Sequence, residues 1–257
     1  MPTGSELSHS SHTPYPAALV ALPGTGSDAD YVRRSFGPAA AELGVELIAS
    51  QPADDLVAGH LAVLDEAARR YGTILVGGVS IGAALAVRWA LDQQPSPGEA
   101  GACAGVLAAL PPWSGDDRHA MARASATATA NSIRGIGLDA TIAAMRASSP
   151  AWLADELTRS WTAFGDRLET QLRQAAAFVC PHPDEIAHLA VPLAIMASLD
   201  DPIHPVQVSH EWCAAAPRAA VAELPLPEWG AGAALVGTTT ARTWAALRAV
   251  PNDGTSR

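Results

Sequence analysis

One five-residue segment constrains the fold of this chain more than any other: Gly78-Val79-Ser80-Ile81-Gly82. It joins a short apolar run, Thr73 to Val76, to an apolar helical pattern, Ile81 to Leu91. A chain that turns from a buried strand into a helix within so few residues strains the residue at the turn, and the neighbours two positions away must be small. The two glycines meet that need, so the segment predicts a strand–turn–helix unit with Ser80 at its apex.

Short apolar runs alternate with helical patterns on both sides of this turn. None of these runs shows the polar alternation of a sheet with one wet face, which predicts burial on both faces. The alternation therefore predicts an α/β fold with a mostly parallel sheet flanked by helices. The predicted strands cover residues 16–22, 45–49, 73–76, 103–110, 192–197 and 219–224.

The segment from Trp113 to Cys180 interrupts the alternation with helical periodicity and no clear strand. The first residues are polar and rich in Ser, Thr, His and Pro, which is typical of a disordered terminus. We therefore predict a disordered tail over residues 1–15, an α/β core over residues 16–112 and 181–250, and a helical cap over residues 113–180.

Charge and hydropathy exclude several classes of partner. The net charge is −10, and all 16 basic residues are arginine, so no basic stripe is available for a nucleic acid. No apolar stretch approaches the ~20 residues of a membrane span, and the N-terminus lacks the pattern of a secretory signal. These features predict a cytoplasmic protein that binds neither nucleic acid nor membrane.

The sequence also gives no indication of a metal or a cofactor. The three cysteines are widely spaced without a Cys-x-x-Cys pair, which predicts reduced, buried thiols. His182 and His188 are six residues apart and do not share a helix face well, so we expect no metal site there. The glycine spacing around Ser80 is not that of a dinucleotide fingerprint.

In its strand–turn–helix context, the Gly-x-Ser-x-Gly turn resembles the nucleophile elbow of the α/β-hydrolase family. The resemblance extends from Ala17 to Val250 and implies that Ser80 is a nucleophile. The loop Leu22-Pro23-Gly24-Thr25-Gly26 resembles the family's loop after the first conserved strand, with Pro23 in place of the usual histidine. This match implies an oxyanion hole formed by the backbone N–H groups of Thr25 and Ile81. For the turn at Ser80, the alternative is a glycine-rich turn that only binds an anion. For the loop Leu22–Gly26, the alternative is a plain turn between a strand and a helix.

The segment Asp200-Asp201-Pro202-Ile203-His204-Pro205 follows a predicted strand and resembles the family's acid loop, Asp-x-x-x-Pro. Asp201 with Pro205 fits that spacing, whereas Asp200 does not. The resemblance implies that Asp201 orients an imidazole and stabilises its charged form. The alternative is an aspartate that only shapes a turn.

The base is the main departure from the family. Its histidine normally follows the last strand, but the loop predicted there, Leu226–Ala233, contains none and should leave Ser80 without its usual partner. The last histidine of the chain is His210. Three interpretations stay open, because an unassisted serine is a poor nucleophile. In the first, another histidine substitutes: His204 is the best candidate, because it lies on the acid loop at the same end of the sheet as Ser80, and His119, at the start of the insertion, is the other. In the second, the protein is degenerate and binds without turnover. In the third, Glu228 or a water acts as the base.

We therefore expect a serine hydrolase of the carboxylic ester hydrolase class, with an atypical or incomplete triad. Its substrate would be an ester, a thioester or a similar small hydrophobic acyl compound, held in an apolar pocket under the tryptophans of the cap. The alternative is a degenerate relative that binds a small ligand in the same pocket without turnover. The sequence does not specify the substrate or the oligomeric state.

Overall fold

The structure is a computed structural model and describes residues 14–93 and 101–250. The predicted tail over residues 1–15 lies outside the described residues except at its end. There, the hydroxyl of Tyr15 donates a hydrogen bond to the carbonyl of Leu43 at 2.9 Å.

The described residues contain six strands, and each matches one of the apolar runs. They are β1 (Ala18–Leu22), β2 (Glu46–Ala49), β3 (Ile74–Val79), β4 (Cys103–Ala109), β5 (Leu193–Ser198) and β6 (Ala219–Leu224). They form one sheet in the order β2-β1-β3-β4-β5-β6, and every pairing is parallel. The predicted α/β fold with a mostly parallel sheet is therefore confirmed.

Helices connect the strands, because parallel neighbours cannot be joined by a tight hairpin. They are α1 (Ala29–Leu43), α2 (Leu56–Tyr71), α3 (Ile81–Asp92), α4 (Met121–Ile136), α5 (Leu138–Ser148), α6 (Ala151–Phe164), α7 (Arg167–Ala177), α8 (Pro183–Ile186), α9 (Val206–Ala215), α10 (Leu226–Ala231) and α11 (Ala234–Ala249). No helix within the described ranges is long and apolar enough to cross a membrane.

The core has one layer on each face of the sheet. Val20 and Leu22 of β1 point into a cluster that includes α2, α3 and α9, whereas Leu19 and Ala21 point into a cluster that includes α1 and α11. This is the two-residue period of a strand with both faces buried. It explains why the sequence shows unbroken apolar runs instead of alternation.

Residues 113–180, called here the helical insertion, contain α4 to α7 and contribute no strand among the described residues. Trp152 of α6 packs edge-on against Trp229 of α10, with ring centroids 5.2 Å apart. The side-chain amide of Gln171 in α7 donates to the carbonyl of Ala53, in the loop after β2, at 2.7 Å. The insertion therefore contacts loops at the carboxyl ends of the strands.

The register aligns the carboxyl ends of the central strands. Leu22 pairs with Gly78, Val79 pairs with Ala109, and Ala109 pairs with Met196. The loops after β1, β3 and β5 therefore emerge at one edge of the sheet. The strand order reverses between β1 and β3, which is where open α/β sheets bind their ligands.

Candidate active site

Ser80 occupies the turn between β3 and α3 in the strained conformation that the segment predicts. Its φ is 54° and its ψ is −117°, a region that non-glycine residues rarely adopt. Its backbone N–H donates to the carbonyl of Ala109 at 2.9 Å, which ties the turn to the neighbouring strand. The strained backbone places the serine at the end of the strand and at the first turn of the helix.

The two glycines of the turn are required by close backbone contacts. A Cβ atom on Gly82 would lie 2.5 Å from the carbonyl oxygen of Leu22 and 2.6 Å from that of Pro23. A Cβ atom on Gly78 would lie 2.6 Å from the carbonyl carbon of Gly82. These neighbours are backbone atoms that cannot rotate away, so no larger residue fits at either position.

The acid loop brings two side chains into line with Ser80. Nε2 of His204 lies 2.9 Å from Oγ of Ser80, and Nδ1 of His204 lies 2.8 Å from Oδ2 of Asp201. Both distances are those of good hydrogen bonds. The structure therefore brings together the three residues expected as the catalytic set, with the acid and the base on the same loop.

The short spacing between Asp201 and His204 follows from a local turn. Oδ1 of Asp201 accepts hydrogen bonds from the backbone N–H of Ile203 at 2.7 Å and of His204 at 3.2 Å. Aspartate often folds the following backbone onto its own side chain in this way. The turn leaves the other carboxylate oxygen free to accept from the imidazole.

The charge state of Asp201 fixes the tautomer of His204. Burial alone would raise the pKa of Asp201, but hydrogen bonds from the His204 ring and from two backbone N–H groups outweigh it and lower that pKa. The carboxylate therefore only accepts, so Nδ1 carries the imidazole proton. Nε2 then presents its lone pair to the hydroxyl of Ser80, which is the arrangement of a general base.

The loop after β1, residues 23–28, is called here the oxyanion loop. The N–H of Ser27 donates to the carbonyl of Gly24 at 3.0 Å, and Gly26 has a φ of 73°. The N–H of Thr25 takes no part in the bond that closes this turn. A Cβ atom on Gly24 would lie 3.6 Å from Cβ of Ser80, so the loop borders the serine.

Ile81, the other residue expected in the oxyanion hole, is the first residue of α3. The N–H groups of a first helical turn have no acceptor within the helix. Ile81 therefore directly follows Ser80, and Thr25 directly follows Gly24, which borders the serine. The N-terminus of α3 adds a favourable field for negative charge at the same point.

Asp200, the acid that the spacing disfavoured, lies outside this set. It is exposed, and its carboxylate accepts from the backbone N–H of Leu226 at 2.6 Å. This bond holds the beginning of α10 against the acid loop. The same junction includes the indole N–H of Trp229, which donates to the hydroxyl of Ser198 at 3.1 Å.

The segment Leu226–Ala233 was expected to be a loop that leaves Ser80 without its usual partner. Most of it is helical instead, as α10, with Pro227 in the first turn and Gly232 after the last residue. The segment supplies no histidine, and His204 is hydrogen-bonded to Ser80 from the acid loop, as one of the three open interpretations predicts. Glu228, the other residue considered as a base, is exposed on α10.

Three other histidines of the described residues have no hydrogen bond to Ser80. His60 is fully buried, its Nδ1 lies 2.8 Å from Oγ of Ser50, and burial lowers its pKa to about 4. His119 is exposed, and in the described residues no hydrogen bond joins it to Ser80. His210 is exposed and pairs with Glu223 at 2.9 Å. In the part of the chain that the structure describes, no group of His, Cys, Asp and Glu residues could hold a metal ion.

An apolar pocket was expected under the tryptophans of the helical insertion, but most of these side chains pack into the protein instead. Trp113 and Trp161 are buried in packing contacts. A cavity of about 140 Å³ lies between α1, α6 and α10, where Trp152 lines it beside Arg34 and Glu156. A wider surface cavity of about 530 Å³ lies between β2 and α2, and neither cavity includes Ser80.

The comparisons with known proteins agree with this architecture. No protein-family model and no curated protein sequence matches the chain. Among solved structures, a thermophilic esterase from Thermogutta terrifontis is similar at a TM-score of 0.64 and 16% identity, over 93% of this chain and 92% of the esterase. A hydrolase from Oleispira antarctica is similar at a TM-score of 0.62 and 14% identity, over 86% of this chain and 85% of the hydrolase. A lipase-esterase related protein from Clostridium acetobutylicum is similar at a TM-score of 0.60 and 14% identity, over 90% of this chain and 93% of that protein.

At these identities the comparisons establish the architecture and not the chemistry. This chain has the α/β-hydrolase fold. Within that fold, its particular feature is a hydrogen-bonded serine, histidine and aspartate set whose aspartate and histidine lie three residues apart.

Proposed function

We propose that this protein is a serine hydrolase in which Ser80 is the nucleophile, His204 the general base and Asp201 the orienting acid. One observation carries the proposal: the continuous chain of hydrogen bonds from Asp201 through both ring nitrogens of His204 to Oγ of Ser80. Such a set is recognised by its geometry and roles rather than by its order in the sequence. The names of the similar structures, an esterase and a hydrolase among them, support the same class of reaction.

In the first step, Oγ of Ser80 attacks the carbonyl carbon of an acyl substrate while Nε2 of His204 takes the hydroxyl proton. Asp201 stabilises the imidazolium that forms. In this proposal, the N–H groups of Thr25 and Ile81 donate hydrogen bonds to the oxyanion and stabilise it. His204 then returns the proton to the leaving alcohol or thiol, and Ser80 keeps the acyl group as an ester.

In the second step, His204 removes a proton from a water molecule, and the resulting hydroxide attacks the acyl carbon. The bond to Ser80 breaks, His204 returns the proton to Oγ, and a carboxylic acid leaves. The side chains of His204 and Asp201 are 16% and 7% exposed, so the pair is shielded but water can reach the imidazole.

The substrate that we propose is an ester, a thioester or a similar small hydrophobic acyl compound. Ser80 is only partly buried, so a small acyl group can approach it from the surface. Leu199, at the beginning of the acid loop, is 54% exposed and offers an apolar contact on this side of the molecule. The acidic chain, with a net charge of −10, disfavours strongly anionic substrates.

Covalent labelling with a fluorophosphonate tests the proposal. The reagent phosphonylates only a serine that is activated by a base, and peptide mass spectrometry then locates the adduct. We expect one adduct per chain on Ser80, no adduct in Ser80→Ala, and normal labelling in Ser148→Ala, where the replaced serine is exposed on α5. A folded wild type that binds acyl ligands but takes up no label would overturn the proposal and favour ligand binding without turnover.

A further inference from the structure

We infer that helix α6 positions the oxyanion loop, and that Arg159 and Ser160 are the positioning residues that hold the N–H of Thr25 beside Ser80. The inference rests on the proposed function and adds to it a role for the helical insertion. Three consecutive residues of α6 contact the oxyanion loop, each by a different kind of interaction.

The first contact is a buried hydrogen bond. The hydroxyl of Ser160 donates to the carbonyl of Gly26 at 2.7 Å, and Ser160 is fully buried. The carbonyl of Gly26 belongs to the Gly26–Ser27 peptide group, whose N–H donates to the carbonyl of Gly24 at 3.0 Å. That second carbonyl shares a peptide group with the N–H of Thr25, so the bond from Ser160 restrains the expected oxyanion donor through this turn. In a buried site such a bond is costly to lose, because the carbonyl would have no water to replace it.

The second contact is a two-point ion pair. Nη1 and Nη2 of Arg159 each lie 2.8 Å from one oxygen of the Asp28 carboxylate. The same carboxylate caps α1 by accepting from the N–H groups of Asp30 at 3.0 Å and Tyr31 at 3.2 Å. Asp28 is buried and ends the oxyanion loop, so Arg159 fixes both the loop end and the helix that follows.

The third contact is steric. A Cβ atom on Gly26 would lie 2.6 Å from the indole nitrogen of Trp161, so the loop backbone lies directly against this ring. On its other side, the loop borders the serine through Gly24. The oxyanion loop is therefore held between α6 and the turn that carries Ser80.

This arrangement matters for chemistry because an oxyanion donor works only at a narrow range of distances from the developing charge. An error of about 1 Å in such a position can cost about 100-fold in rate. The contacts from α6 restrain the oxyanion loop without touching His204 or Asp201. They are therefore expected to affect the stabilisation of the transition state and not the base.

The test uses the rate at which p-nitrophenyl diethyl phosphate inactivates the enzyme. In this reaction Oγ of Ser80 bonds to phosphorus, p-nitrophenolate leaves, His204 takes the serine proton, and the phosphoryl oxygen occupies the oxyanion hole. Ser160→Ala and Arg159→Gln should each slow inactivation by about tenfold or more. With a p-nitrophenyl ester, kcat should fall to a similar extent, KM should change little, and the pH profile should not shift.

Arg146→Gln is the matched control. Arg146 is 46% exposed, close to the 40% of Arg159, but it pairs inside the helical insertion with Asp155 at 3.1 Å and Thr158 at 3.0 Å. Its loss should leave inactivation unchanged. All variants are compared at temperatures well below their midpoints of thermal unfolding. Ser160→Ala is the decisive variant, because it removes only a single oxygen atom.

The outcomes separate the two claims. A wild type that is not inactivated contradicts the proposed function, and this inference falls with it. A wild type that is inactivated, with Ser160→Ala and Arg159→Gln as fast as Arg146→Gln, overturns only the positioning role. A loss of rate accompanied by a shifted pH profile also overturns it, because the change would then act through His204.

Discussion

At the scale of single residues, the site depends on how Asp201 folds the backbone that follows it. One carboxylate oxygen holds the N–H groups of Ile203 and His204, and the other receives the ring of His204. An acid and a base that are three residues apart keep their relation through a local turn. A histidine after the last strand is therefore not needed to complete the set.

Asp201→Asn should lower kcat strongly with little change in the fold. An amide at this position no longer enforces the tautomer with the proton on Nδ1, and in a comparable serine enzyme this change costs about 10⁴-fold. Asp200→Asn is the control, because its amide oxygen can still accept from the N–H of Leu226. Steady-state kinetics of both variants provide the measurement, and equal losses would contradict the role given to Asp201.

His60 should make the stability of the protein depend on pH. Its pKa is about 4 in the folded state, where it is buried, and about 6.5 in the unfolded chain, so only the unfolded chain gains a proton between these values. The free energy of unfolding should therefore fall as the pH drops from about 6.5 to 4, by at most ~1.4 kcal/mol per pH unit and roughly 2 to 3 kcal/mol in total.

Urea unfolding at a series of pH values measures this dependence. His60→Asn should be less stable than the wild type at neutral pH but should lose most of the slope. The same substitution at the exposed His119 controls for the loss of a histidine. A slope that survives in His60→Asn would show that another group is responsible.

At the scale of elements, the sequence located the strands but not all of their ends. The third strand was predicted to end at Val76, but β3 continues through Gly77 and Gly78 to Val79. Glycine normally weakens a strand. Here it is required, because a Cβ atom on Gly77 would lie 2.7 Å from the carbonyl oxygen of Leu107 in the neighbouring strand.

The helical elements show the same limit. The helical periodicity of residues 113–180 does not show where each helix ends, and Gly165, whose φ is 55°, ends α6. Leu226–Ala233 was interpreted as a loop because its proline and glycines are typical of turns. It forms α10 because its proline stands in the first helical turn, where a missing N–H costs nothing.

Gly82→Ala should destabilise the protein and abolish labelling of Ser80. The added methyl group would meet two backbone oxygens at 2.5 Å and 2.6 Å, so the turn must move. We expect a loss of about 3 kcal/mol or more. In Gly135→Ala on α4, by contrast, the added Cβ meets nothing within 4 Å, and a gain of about 0.5 to 1 kcal/mol is expected.

Thermal and urea unfolding of the two variants measure this difference. Opposite signs for the two glycine substitutions are the expected result. A Gly82→Ala variant with wild-type stability and normal labelling would contradict the close-contact account of the turn.

At the scale of the whole molecule, the site is assembled by the order of the strands. β1, β3 and β5 end at one edge of the sheet, so the oxyanion loop, Ser80 and the acid loop meet although His204 and Ser80 are 124 residues apart. The alternation of strands and helices predicted this edge. It favoured His204 by its place on the acid loop, but it could not predict the hydrogen bond to Ser80, because that depends on a distance between two loops.

The contact between the helical insertion and the oxyanion loop could not be predicted from the sequence either. Asp28 caps α1, a role typical of aspartate, but Arg159 is one of 16 arginines, most of which suit a solvated helix face equally well. Their pairing across 131 positions is a product of the tertiary fold. Only the structure shows that this arginine pairs with the end of the oxyanion loop.

The central claim is that His204 supplies the base that the last strand does not carry. Turnover of a short p-nitrophenyl ester by the wild type, His204→Ala and His210→Ala tests it most directly. His210 is a fair control, because it too follows β5 and pairs with a carboxylate, but it lies on the surface. We expect Ser80-dependent turnover in the wild type, a loss in kcat/KM of about 10³-fold or more in His204→Ala, and little change in His210→Ala. Equal activity in the two histidine variants, or turnover that persists in Ser80→Ala, would contradict the account.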